Sequence, residues 1–201
     1  MNEIALVRHE PPGDESGLAA IRDGIARLPR RLGTFGFSHG EEASSSTNHY
    51  VWFGSTADDE IAVVDDFALP VRYVAARASS ASRVALLAEA LRTVVDHVPI
   101  MELRARANVH AHDDPAALVR LALSLTTFDD EAKRIFAQAL SSTLQPVRYH
   151  AVLAASLLRW PALLPELHSL AASEKDEALR RLAHHAVQVC APSSTDGGRQ
   201  A

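Results

Sequence analysis

Ten histidines, four Asp-Asp pairs and a set of arginines are the residues of this 201-residue chain whose types and spacing suit chemistry. The run His110–Asp114, HAHDD, sets two imidazoles near two carboxylates. A metal needs three or four converging ligands, and aspartates before a helix serve equally well as caps. His184 and His185 take adjacent helix positions, so they point about 100° apart and share a metal poorly. The sequence contains no Cys-x-x-Cys, no His-Glu-x-x-His, no glycine-rich phosphate loop and no Gly-x-Ser-x-Gly. Neither a metal nor a cofactor is expected, and no catalytic residue is assigned. Of the acid pairs, Asp58-Asp59, Asp113-Asp114 and Asp129-Asp130 fall where turns and caps want them. Asp65 and Asp66 differ because they end the apolar run IAVV. Paired carboxylates at a strand end suit acid–base or cation work, a plain turn, or recognition of a basic partner.

Arginines make the second candidate set. Arg120, Arg148, Arg159, Arg180 and Arg181 lie on the helical second half of the chain. Aligned as a ridge they would bind carboxylates or phosphates in bidentate fashion, although solvated helix faces also carry arginine. Trp160, at a joint between helices, is either packing or a contact residue. The net charge of −5 argues against nucleic acid as the main partner, because phosphate neutralisation needs a basic excess. Residues 1–100 hold nine Arg and no Lys against fourteen acids, while residues 101–201 hold eleven charges of each sign. The acidity therefore belongs to the first half. Cys190, alone in the chain, has no partner for an internal disulfide and follows an apolar run, as a buried thiol would. No window resembles a membrane span or a signal core, so a cytoplasmic protein with no membrane partner is expected.

The elements that must position these residues fall into two parts. Over residues 1–99, Glu3–Val7 suits a short strand and Gly17–Leu28 one helix with Leu18, Ile21, Ile25 and Leu28 at spacings of three and four. GTFGFSHGEEASSSTN, rich in Gly, Ser and acid, reads as a loop. YVWFG, EIAVVDDF and PVRYVAARA read as three strands of an antiparallel meander. SSASRVALLAEALRTVVDHVP supplies a covering helix, capped by serine, with Val84, Leu87, Leu91, Val94 and Val98 on one stripe. Residues 100–190 read as helices and short joints, and residues 191–201, small and polar, as a disordered tail. The fold class is α+β: a small antiparallel β-meander with a covering helix, then an α-α region.

That α-α region repeats. Pro115 and Pro146, 31 residues apart, each open a helix, and Val147-Arg148 is echoed by Leu179-Arg180, 32 residues on. Helix pairs of this kind cannot bury their apolar faces alone and must stack. On that basis Leu153 or Leu157, together with Leu167, are expected between helices. VRYHAVLAASLLRWPALLPEL resembles a HEAT-like repeat of the short bacterial, PBS-lyase type: a Val-Arg entry, small alanines at the helix approach, and a joint with Pro161. ALRRLAHHAV resembles the first helix of a following unit. The resemblance implies a binding surface. Proteins similar to this family are mostly scaffolds and adaptors, with a minority acting on DNA lesions or bilin attachment, and no catalytic residues come with the repeat.

ALVRHEPPG is similar to the Arg-His-Gly opening of the histidine phosphatases, but Glu10 stands where that family has glycine. His39 follows His9 by thirty residues, and no doubly wound α/β pattern follows. The expected function is a non-enzymatic protein–protein interaction module, an adaptor, scaffold or immunity-type protein. It would bind another protein through the helical-repeat face or the acidic sheet edge. Nucleic-acid binding through the arginine ridge is the alternative, and an enzyme of unrecognised type the second.

Overall fold

The computed structural model describes residues 2–8, 11–44, 46–54 and 58–192. His9, Glu10 and residues 193–201 of the expected tail lie outside them, as does the side chain of His39. The chain divides into two compact units, Met1–Leu103 with Leu123–Thr126, and Arg104–Ala122 with Thr127–Ala201.

The first unit is α+β. Its strands are β1 (Asn2–Val7), β2 (Phe35–Ser44), β3 (Thr47–Gly54), β4 (Glu60–Asp66) and β5 (Val71–Ala78). They form one sheet in the order β1-β5-β4-β3-β2, antiparallel at every pairing. Strands β2 to β5 are a meander, and β1 closes the sheet beside the last of them. Two helices cover one face: α1 (Glu15–Ala26) and α2 (Ala81–Val94). Period-2 alternation sends Ile61 and Val63 of β4 and Val74 and Ala76 of β5 to that face, where they meet Leu18, Ile21 and Ile25 of α1 and Val84, Leu87 and Leu91 of α2. Asp14 caps α1 and Ser80 caps α2, each accepting backbone N–H groups that the first turn leaves unpaired. Gly24 is dictated by the crossing of these helices. A Cβ there would stand 2.6 Å from the carbonyl oxygen of Val94.

Five strands form where four are expected, Glu3–Val7 and the three of the meander. The segment read as a loop, GTFGFSHGEEASSSTN, contains β2, which pairs with β3 along its length and has register shifts after Phe37 and Glu42. Glycine and serine give it little intrinsic β preference, and pairing to an aromatic neighbour strand overrides that. Phe37 lies opposite Trp52, their ring centroids 5.1 Å apart.

Helices α3 (Ile100–Val109), α4 (Ala116–Ser124), α5 (Asp130–Leu140), α6 (Gln145–Leu158), α7 (Leu164–Ser173) and α8 (Glu177–Cys190) follow, the last four lying wholly in the second unit. Asp129 caps α5 and Asp176 caps α8, while Pro146 and Pro161 open their helical turns without needing an N–H there. Helix α5 packs on α6 and α7, and α8 packs on α6 and α7. Residues at matching ends fix the directions. Lys133 near the start of α5 reaches Glu166 near the start of α7. Arg148 at the start of α6 reaches Glu174 just before α8, and Cys190 at the end of α8 donates to the carbonyl of Ala155 toward the end of α6. Contacts at both ends make α6 and α8 parallel neighbours, and the starts of α5 and α7 lie together. The 32-residue echo is visible as burial: Val147, Ala151 and Ala154 answer Leu179, Ala183 and Ala186, all at most 4% exposed.

Candidate interaction site

Asp65 is fully buried and pairs across β4 and β5 with Arg72, itself 1% exposed. The two residues are register partners, so neighbouring strands bring them together by their pairing alone. The guanidinium gives Nε to one carboxylate oxygen at 2.5 Å and Nη2 to the other at 2.7 Å. Its remaining arm donates to the carbonyl of Asp14, and the Asp65 carboxylate accepts from the N–H of Gly13. A buried charge pair is tolerable only when its hydrogen bonds are met in this way. The cluster ties the segment before α1 to the sheet. Asp66 instead turns outward and accepts from the N–H groups of Ala68 and Leu69, fastening the β4–β5 turn. The adjacent carboxylates therefore serve two separate anchors.

The five arginines fall into two groups. Arg148, 17% exposed, gives Nε to Glu174 at 2.7 Å and Nη1 to the carbonyls of Ser142 and Thr143 at 3.0 Å each. Glu174, 5% exposed, accepts in turn from the N–H groups of Lys175 and Asp176. The bond from Arg148 and those amides hold its carboxyl below the usual glutamate value. Arg120 pairs with Asp114 at 2.6 Å, so that carboxylate is engaged by a side chain. Arg159 and Arg181 are exposed and Arg180 half-buried. Arg181 lies 3.8 Å from Glu177 on its own helix. Arg159 closes α6 in the left-handed conformation at φ 52°, and its N–H bonds the Ala155 carbonyl. Arg120 and Arg148 are thus joints of the helical framework, leaving two exposed members of the ridge, Arg159 and Arg181, and the half-buried Arg180. Trp160, 8% exposed, stacks edge-on against Phe128 and Phe136 at 5.0 and 6.2 Å. Its role here is to fill the α6–α7 joint.

Leu167 is fully buried, but Leu157 is 50% exposed and Leu153 half-buried. This reverses the expectation for Leu157, because α6 is crossed by α5 and α8 on its alanine side and leaves the opposite side uncovered. Tyr149, Leu153 and Leu157 stand at i, i+4 and i+8 along that side, and Leu144 is 46% exposed just ahead of the helix. The same spacing that marks a core stripe in sequence marks here an apolar strip open to water. Nothing in the spacing distinguishes the two. The only available signal was the excess of apolar residues on α6, more than one buried face needs.

Among the described residues no group of three or more His, Cys, Asp or Glu is placed to hold a metal ion. None of the helices there is long and apolar enough to cross a membrane. Burial pushes the Cys190 thiol above its usual value. No family model, no curated protein and no solved structure matches the chain.

Proposed function

We propose that this chain is a non-enzymatic interaction protein, an adaptor, scaffold or immunity-type module, that grips a protein partner along the helical region. The apolar strip Tyr149–Leu153–Leu157 carries the proposal. Two large side chains at 44% and 50% exposure stand on one helical line with half-buried Leu153 between them, and a partner's apolar side chains would bury what this line leaves open to water. The arginine alternative has less support, because Arg120 and Arg148 spend their charge on Asp114 and Glu174. Three remaining arginines would neutralise few phosphates. A HEAT-like repeat is part of the proposal, supported by the parallel packing of α6 and α8.

The test is affinity capture with the intact chain and with Tyr149→Ser/Leu157→Ser from the cell of origin. A stoichiometric protein that the parent retains at moderate salt and the double variant releases supports the proposal. Equal recovery by both proteins, or recovery of nucleic acid with a steep salt dependence, overturns it.

A further inference from the structure

A trough runs along α5 and shares no lining residue with the Tyr149 strip. Its main cleft, of about 450 Å³, lies between residues 107–112, α5 and the α5–α6 turn. A second, of about 250 Å³, continues it toward the start of α5. The two share Asn108, Ile135 and Gln138, so they are parts of one groove. The larger part alone lies within the roughly 300–1,000 Å³ of ligand-binding clefts.

Lining chemistry narrows the occupant. Ala107, Ile135, Ala139 and Val147 form an apolar floor, each at most 7% exposed. Above it stand two carboxamides, Asn108 and Gln138, both exposed. Each carries donors and an acceptor side by side, the pattern that a peptide group presents in reverse. Arg134, also exposed, lines the far end with a guanidinium fork. Its neighbour Glu131 is engaged by Arg104 at 3.2 Å. From Glu131 to Ala139 the wall is nine residues of helix, about 12 Å at a rise of ~1.5 Å per residue. Three or four residues of extended chain, at ~3.3 Å each, span the same length. A nucleic acid would meet too few cations here, and a compact charged metabolite would meet no converging charges.

We propose that this groove binds an extended peptide segment of a partner protein, with small apolar side chains on the Ile135–Ala139 floor. Asn108 and Gln138 hydrogen-bond the peptide backbone, and Arg134 pairs with a carboxylate of the segment. The proposal rests on the interaction function above but on a separate surface.

The experiment pans a phage-displayed random heptapeptide library on the full chain, then measures synthetic copies of enriched peptides by fluorescence anisotropy. Peptides joining an acid to small apolar residues are expected, weakened about tenfold by Arg134→Glu. Asn108→Ala and Gln138→Ala should weaken them as well. Replacing the peptide's acid by lysine should restore binding to Arg134→Glu, an exchange that a loss of folding does not produce. Arg134→Gln serves as a second variant, and melting curves confirm that each protein is folded. Peptides indifferent to all these variants but lost on Tyr149→Ser/Leu157→Ser overturn the groove and leave the interaction function standing. Absence of any enriched peptide overturns the groove too, while capture through the α6 strip decides the function independently.

Discussion

Replacing Arg148 by alanine tests whether this residue belongs to the framework or to a binding ridge. The guanidinium makes one charge-paired bond to Glu174 and two bonds to the carbonyls of Ser142 and Thr143, holding the α5–α6 turn to the start of α8. A net bond between charged groups stabilises by about 1.5–3 kcal/mol and a neutral one by about 1. Rupture of a fully buried pair would reach about 3–5 kcal/mol. Arg148 is 17% exposed, so water reaches part of the site. Glu174 also keeps the N–H groups of Lys175 and Asp176 after the loss. About 2–3 kcal/mol is therefore expected for Arg148→Ala in equilibrium urea unfolding, and less for Glu174→Gln, which keeps the shape. A double-mutant cycle should show at least about 1 kcal/mol of coupling. Arg181→Ala is the control: at 74% exposure and 3.8 Å from Glu177 it should stay within about 0.5 kcal/mol. The effect also has a pH signature. The Glu174 carboxyl sits below its ordinary 4.5, so its contribution is complete above that value and is lost as pH falls through the lower folded value. The gap between the parent and Glu174→Gln should close below about pH 4.5. If Arg148→Ala is as mild as Arg181→Ala, or the cycle shows no coupling, the framework role is wrong.

Three further outcomes are expected. Leu167→Ala, which empties a fully buried site in α7, should destabilise by about 2–5 kcal/mol in the same unfolding assay. Arg72→Ala leaves the Asp65 carboxylate buried without its partner and should destabilise the first unit by about 3–5 kcal/mol, whereas Asp66→Asn, at the exposed turn, should stay within about 1. Gly24→Ala should destabilise even though alanine is favoured over glycine in helices by about 1 kcal/mol, because the new methyl meets the Val94 carbonyl; hydrogen exchange across α1 and α2 would show the separation of the two helices.

Much of the architecture was legible because its signals are local. The α2 stripe, the serine before it, the Asp129 cap and the proline-opened turns each depend on a few neighbouring residues. Strand β2 was not legible, since its pairing to β3 and not its composition makes it a strand. Candidate sites fared differently, and for one physical reason. Sequence gives a residue's charge or apolarity but not its partner, so Arg148 and Arg120 read as a ridge until Glu174 and Asp114 are found beside them. Asp65 read as half of a carboxylate pair until Arg72 appeared across the ladder. The Tyr149–Leu157 strip and the Asn108–Gln138 trough were missed by the same logic reversed: their residues are ordinary, and what marks them is the lack of cover.

Strand β1 pairs with β5, its Asn2 opposite Ala78 and its Val7 opposite Tyr73, although the two lie at opposite ends of the sheet's sequence. On a ribosome β1 is therefore made first and completed last. Roughly seventy residues separate it from its partner, about 4–15 s at ~5–20 residues per second. For that interval Ile4, Leu6 and Val7 travel as an unpaired apolar segment, exposed to any other open strand nearby. The acids interspersed through the first hundred residues are well suited to such a wait, because like charge keeps nascent chains apart until β5 arrives.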